Sequence, residues 1–206
     1  MNTIGLFPKP FVTDNIKEHP VMHEIKQLLK LAENDADFLE NPGNGNFLHK
    51  DTYLLRTLPD LSALLTTRTN EFLFDIMGEH RTKLVITQSW LNINPPGSHH
   101  KTHRHKNSII SGVLYLQCDQ NTGNFNAHRD HSMFRDVSGD VDQHNPFTYE
   151  YVTFSPTEFD LYLFQSNLKH SVDTNKSSIT RLSLSFNTFY SGVIDDGEYL
   201  SGLTVN

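Results

Sequence analysis

Two textures divide the chain. Before residue 80 the apolar positions recur at helical spacing; from Lys83 onward they alternate. In Pro20–Glu33 (PVMHEIKQLLKLAE), Val21, Ile25, Leu28 and Leu29 share one helical face, and Pro20 suits a first turn. A second helix is expected from Asp60 to Gly78, with Leu61, Leu64, Leu65, Phe72 and Ile76 as its apolar side and Gly78 as terminator. Ahead of both, Leu6–Val12 (LFPKPFV) reads as an extended lead-in strand at a sheet edge, where proline is tolerated. Asn34–Lys50 is rich in Asn, Asp and Gly and reads as loop.

The second texture is a series of short strands. Lys83–Asn94 alternates, which predicts Leu84, Ile86, Trp90 and Asn92 on one face and Val85, Thr87, Leu91 and Ile93 on the other. Pro95-Pro96-Gly97 forces a turn. Strands follow at Ser108–Gln117, Phe147–Phe154, Phe159–Phe164 and Ile179–Tyr190, the last with clear alternation. Asp119–His144 is long, polar and glycine-dotted, with a weak strand signal near Phe125; it reads as a functional loop or a lid. Helices first and strands afterwards predict a mainly β sandwich or barrel with helices packed outside. No repeat or linker interrupts residues 1–206, so one domain is expected, with a helical part over 1–80 and a β core over 83–190.

Composition narrows the function classes. Only 36% of the 206 residues are apolar, but 14 Phe and 7 Tyr can bury large areas. The net charge of −7 argues against a nucleic-acid surface, which needs a basic face. No stretch has the apolar length of a membrane span, and MNTIGLFPKPF lacks the pattern of a signal peptide. The single cysteine, Cys118, excludes an internal disulfide framework and fits a reducing, cytoplasmic setting; it is expected as a small buried hydrophobe on a strand.

Four of the twelve histidines fall at 99, 100, 103 and 105. On an extended chain, residues two apart point the same way, so His103 and His105 can offer two imidazole nitrogens to one ion. Alone, such a pair is weak evidence. His170 strengthens it, because it follows an apolar strand and a short polar turn. Farther on, Arg181, Ser183 and Ser185 share one strand face, opposite Leu182, Leu184 and Phe186. An inward arginine is costly unless it meets an anion, either an Asp or Glu of the fold or the carboxylate of a ligand. His99 and His100 are expected at the pocket mouth or facing solvent. His23, His49 and His80 read as surface or capping residues. His128, His131 and His144, with Asp130, Asp136 and Asp142, form an outside candidate for a second metal site.

Trp90-Leu91-Asn92, Pro95-Pro96-Gly97, His103-Arg104-His105, Ser111-Gly112-Val113-Leu114-Tyr115, Phe164-Gln165-Ser166, His170-Ser171-Val172 and Arg181–Asn187 follow in an order that resembles the 2-oxoglutarate- and Fe(II)-dependent dioxygenases. The likeness is closest to the small oxygenases of marine phages and bacteria related to prolyl hydroxylases, whose opening is similar to Leu6-Phe7-Pro8. It implies a double-stranded β-helix, or jelly roll, with Fe(II) held by His103, His105 and His170. It further implies that Arg181, helped by Ser183, holds the distal carboxylate of 2-oxoglutarate, with Tyr115 as a further cosubstrate contact or an ordinary core tyrosine. The implied reaction couples conversion of 2-oxoglutarate to succinate and carbon dioxide with hydroxylation of a C–H bond. Two positions depart from the family pattern. His105 stands where the superfamily usually has Asp or Glu, which leaves the ion more positive and also suits Zn(II); Asp173 is an outside candidate for the missing carboxylate. Thr157-Glu158-Phe159-Asp160 lies where relatives tend to have a glycine before the strand.

Two rivals follow from the same residues: a three-histidine zinc hydrolase or lyase, and a non-catalytic metal-binding or virion-associated jelly roll. Asn92 and Gln88 are candidate polar neighbours of the pocket. The expected partner is a small-molecule or peptidyl substrate, with no membrane and no nucleic acid; a homodimer is left open.

Overall fold

A computed structural model describes residues 8–130, 145–195 and 202–205. Its centre is an antiparallel sheet of eight strands. The path across it runs β1 (Phe11–Asn15), β9 (Asp160–Gln165), β6 (Ile110–Gln117), β11 (Arg181–Ile194), β4 (Lys83–Asn94), β3 (Asn46–His49) and β2 (Phe38–Asn41), and β12 (Leu203–Val205) pairs with the end of β11. A four-stranded antiparallel sheet faces it, in the order β5 (His100–His103), β10 (His170–Val172), β7 (Phe125–His128) and β8 (Tyr151–Phe154). Two facing sheets with these connections are the jelly roll. Helices α1 (Met22–Leu31) and α2 (Pro59–Glu71) cover the outer face of the large sheet. Among the described residues no helix is long and apolar enough to cross a membrane.

Alternation along the large sheet sorts side chains into two cores. Leu182, Leu184, Phe186, Leu114, Leu161 and Leu163 point outward and join Ile25, Leu28, Leu61 and Leu65 of the helices. Tyr115, Tyr162 and Phe164 point inward and join Phe125 of the small sheet. Close approach here needs Gly112: a Cβ at that position would lie 2.2 Å from Cζ of Phe186. Helix α2 starts at Pro59 without a side-chain cap of its own. Instead the buried Glu24 carboxylate of α1 accepts from the backbone N–H groups of Asp60 (3.2 Å) and Leu61 (2.7 Å).

Four expectations need correction. The first strand begins at Phe11, beyond both prolines of LFPKPFV, and the residues before Pro8 lie outside the described ones. The stretch expected as loop carries the β2–β3 hairpin, turned through the positive-φ Gly43 and Gly45. Strict alternation in β4 fails at Thr87, the extra residue between the pairs Asn187↔Gln88 and Thr188↔Ile86. This bulge flips the phase, so Leu84 and Ile86 join Leu91 and Ile93 on the helix side while Trp90 and Asn92 stay inward. Past α2 the chain makes a π-helical turn over Phe72–Ile76; it buries Leu73 at 3% exposure and leaves Ile76 at 48%. Phe159, within the Thr157–Asp160 stretch where relatives tend to have a glycine, has a φ of +70°.

Candidate active site

The site lies between the two sheets. Strand β5 pairs with β10, which sets His103 across from His170. Just beyond β5, the backbone N–H of His105 donates to the Ser166 carbonyl at 3.0 Å and brings the third ring in. Ring centroids stand 4.2 Å apart for His103 and His170, 5.0 Å for His105 and His170, and 5.4 Å for His103 and His105. One nitrogen from each ring lies within 4.8 Å of the other two, so the three could hold a single ion.

Each ring has its Nδ1 engaged. Nδ1 of His103 donates to the Lys101 carbonyl (2.8 Å) and Nδ1 of His170 to the Leu168 carbonyl (2.9 Å). Nδ1 of His105 donates to Asn187 Oδ1 (2.9 Å), beside Ser111 Oγ at 2.7 Å. A carbonyl oxygen only accepts, so the hydrogen sits on Nδ1 and the lone pair on Nε2. Ser111 also donates to Asn187 Oδ1 at 2.8 Å and lies 2.7 Å from Ser166 Oγ, which locks the acceptor in place. Burial disfavours the imidazolium form. It pulls His170 down to about 2 and His105 down to about 4, with the neighbouring His103 adding repulsion in both cases. Neutral imidazole is the ligating form.

Arg181 reaches the same cavity from β11 and is 2% exposed. Its Nη1 donates to the carbonyls of Thr122 (2.8 Å) and Gly123 (3.3 Å), while its Nε is buried without a partner. Gly123 is needed for this approach: its φ is +99°, and a Cβ there would meet the Asp173 carbonyl at 2.3 Å and Nη1 of Arg181 at 3.1 Å. Among the described residues no carboxylate forms an ion pair with Arg181. Burial lowers its pKa from the ordinary value, and the nearby Tyr115, Cys118 and Asp173 work in the opposite direction.

Cross-strand register builds the cavity wall. Ser183 of β11 sits between Asn92 of β4 and Tyr115 of β6. All three line the cavity, whose volume is about 240 Å³. Asn92 Nδ2 donates to Ser185 Oγ (2.9 Å), and Trp90 Nε1 donates to Asn92 Oδ1 (3.2 Å). Burial pushes the Tyr115 hydroxyl above its usual range, so it stays a neutral phenol. Trp90 meets His105 edge-on at 6.0 Å, and Phe125 stacks on His170 at 5.1 Å; both shield the rings.

The structure thus gathers His103, His105, His170, Arg181, Ser183 and Tyr115 around one cavity. Other candidates fall elsewhere. Asp173 accepts from Asn126 Nδ2 at 2.7 Å and is not in the histidine group. Gln88 is exposed and accepts from Asn187 Nδ2 (3.3 Å). His128 meets Ser171 Oγ at 2.8 Å, and Asp130 pairs with Lys9 and Arg104. The rest of the second candidate metal site, His131, Asp136, Asp142 and His144, lies outside the described residues. His100 corrects the expectation of a solvent-facing ring: it lines the cavity. Sequence reading also missed Asn187 as the partner of His105. The signal was present, since Asn187 continues the odd-numbered face of Arg181, Ser183 and Ser185.

Residues 88–187, which span the three histidines and Arg181, match a family model described as "Putative 2OG-Fe(II) oxygenase". No curated protein matches the chain in sequence. Among solved structures, the fold is similar to an oxidoreductase of the 2OG-Fe(II) oxygenase family from Burkholderia pseudomallei, at 18% identity and a TM-score of 0.59 over 86% of this chain and 83% of that one. It is similar to the non-heme alpha ketoglutarate dependent epimerase SnoN from nogalamycin biosynthesis, at 11% identity and a TM-score of 0.65 over 93% and 83%. It is also similar to a Pseudomonas putida prolyl-4-hydroxylase, at 15% identity and a TM-score of 0.54 over 87% and 92%. At such identities the structural likeness shows the fold, and the family match assigns residues 88–187, a little under half of the chain, to the 2OG-Fe(II) oxygenases.

Proposed function

We propose that His103, His105 and His170 hold Fe(II) through Nε2, that Arg181 grips the distal carboxylate of 2-oxoglutarate with help from Ser183 and Tyr115, and that the enzyme hydroxylates a C–H bond of a small molecule or of a peptidyl side chain such as proline. The observation that carries this reading is Arg181: a guanidinium 2% exposed, with an unpartnered Nε and no ion pair among the described residues, in the cavity of the three histidines. A buried cation of this kind is costly alone and suits a dicarboxylate that binds and leaves.

When bound, the iron and cosubstrate supply the oxidation, in which 2-oxoglutarate, dioxygen and a substrate C–H give succinate, carbon dioxide and an alcohol. The chain's own residues bind and orient. Burial keeps the His105 and His170 rings neutral, and all three rings have Nδ1–H committed to an acceptor. Arg181 is pre-positioned by two loop carbonyls, so little side-chain entropy is lost on binding. Trp90, Phe125 and Phe164 line the cavity and keep water from the reacting centre. A three-histidine zinc hydrolase would leave Arg181, Ser183 and Tyr115 without a task.

Anaerobic addition of Fe(II) and 2-oxoglutarate tests the reading. It predicts a visible metal-to-ligand charge-transfer band and, on admission of air, slow succinate formation; folded, iron-loaded protein that shows neither sinks it. Arg181→Ala is expected to weaken 2-oxoglutarate binding and keep the metal. Loss of iron in that variant would overturn the role given to Arg181.

A further inference from the structure

We infer that His100 is a second reader of the cosubstrate's distal carboxylate, held for that task by Asn94. The inference rests on the cosubstrate site proposed above. Its geometric basis is independent of the metal ligands. Asn94 is the Cα partner of Arg181 across the β4–β11 ladder. Its Nδ2 meets Nε2 of His100 at 2.8 Å. His100 is therefore tethered to the ladder partner of Arg181, and it lines the same cavity as Arg181.

An irregularity in the backbone makes this placement. Along β10, His170 and Val172 are two positions apart, while their partners His103 and His100 on β5 are three apart. Strict alternation would send His100 and His103 to opposite faces; the extra residue in β5 brings both to the cavity side. A bulge that re-aims a side chain into a pocket is a common device beside functional sites.

The chemistry then follows from the tautomer. Amide Nδ2 of Asn94 can only donate, so Nε2 of His100 accepts and Nδ1 carries the hydrogen. Among the described residues no acceptor meets that Nδ1–H. A neutral N–H and a fixed guanidinium lining one cavity make a donor pair suited to one carboxylate, and a neutral donor adds no further buried charge. The strong depression of the His100 pKa, caused by burial first and by Arg181 next, agrees with a ring that stays neutral in this position.

The test compares two cosubstrates on Fe(II)-loaded protein under anaerobic conditions, by the charge-transfer band and by calorimetry. 2-Oxoglutarate carries the distal carboxylate; 2-oxobutanoate lacks it. His100→Phe is expected to weaken 2-oxoglutarate roughly tenfold to a hundredfold, the range for a lost hydrogen bond to a charged group, and to leave 2-oxobutanoate affinity and iron content unchanged. Asn94→Leu, which frees the ring, is expected to do the same to a lesser degree. His100→Gln, which keeps a donor, is expected to recover part of the loss. Equal weakening of both cosubstrates, or none, in folded iron-loaded variants would overturn the inference. If wild-type protein itself binds no 2-oxoglutarate, the cosubstrate reading fails, and the inference fails with it. That outcome differs from a His100 effect that is absent while wild-type binding is intact.

Discussion

Asn187→Ala removes the acceptor that holds His105. The side chain is 5% exposed, its Oδ1 accepts from Nδ1 of His105 at 2.9 Å, and the same oxygen accepts from Ser111 at 2.8 Å. Truncation therefore frees the His105 ring to swing or change tautomer and leaves the Ser111 hydroxyl short of one acceptor. Losing the partner that orients a metal-bound histidine costs roughly ten- to a hundredfold in metal affinity, or about 1.4–2.8 kcal/mol. The Ser111 hydroxyl keeps Ser166 Oγ as a partner at 2.7 Å, so the fold loses only the hydrogen bonds Asn187 itself made, about 0.5–1.5 kcal/mol each. The two effects separate experimentally. Metal affinity is read by competition with a chromophoric chelator under anaerobic conditions, and fold stability by urea unfolding of metal-free protein. Asn187→Asp keeps the acceptor and adds a negative charge beside a site built from neutral ligands, so it is expected to bind the divalent ion at least as tightly as wild type. Wild-type metal affinity in folded Asn187→Ala would refute the claim that this hydrogen bond sets His105 as a ligand. A loss in Asn187→Asp as deep as that in Asn187→Ala would refute the electrostatic part.

Three further outcomes follow from the packing. Gly112→Ala places a methyl 2.2 Å from the ring of Phe186, which is 0% exposed, so overpacking is expected to cost at least about 1–3 kcal/mol and to lower the melting temperature. Phe159 holds a left-handed backbone at φ +70°; comparing Phe159→Gly with Phe159→Ala removes the ring from both sides of the balance, and the glycine variant is expected to be more stable by about 1–2 kcal/mol in urea unfolding. Burial raises the Cys118 thiol to about 12, above its ordinary value, so below that pH the group stays protonated and is a poor nucleophile. Iodoacetamide at pH 8 is expected to leave folded protein unlabelled and to label it after unfolding; rapid labelling of the native state would contradict the burial of that strand end.

Much of the fold was legible because alternation and helical spacing are local signals. Ser108–Gln117 contains the observed Ile110–Gln117, and the expected Lys83–Asn94 is the observed strand. What misled was local as well. The Asn- and Gly-rich 34–50 segment has the composition of a loop, yet its ends pair as a hairpin because Leu48 and Phe47 find Asn92 and Ile93 on β4. Propensity gave way there to a pairing partner dozens of residues away.

The sequence by itself determined the alternating face of β11, with Arg181 and Ser183 opposite Leu182 and Leu184, because a strand's side-chain period is fixed at two. It also determined the order in which Trp90, His103, His105, His170 and Arg181 follow one another, all within the residues 88–187 that match the family model. Tertiary structure decided which side chains meet. The bulge at Thr87 returned Leu84 to the helix-side core, the extra residue in β5 turned His100 into the cavity, and register set Ser111 and Asn187 beneath His105. The physical reason is common to all three. A bulge is fixed by the hydrogen-bond ladder of the partner strand, and one residue of slip reverses every face beyond it, so the information resides in the pairing and not in either strand alone.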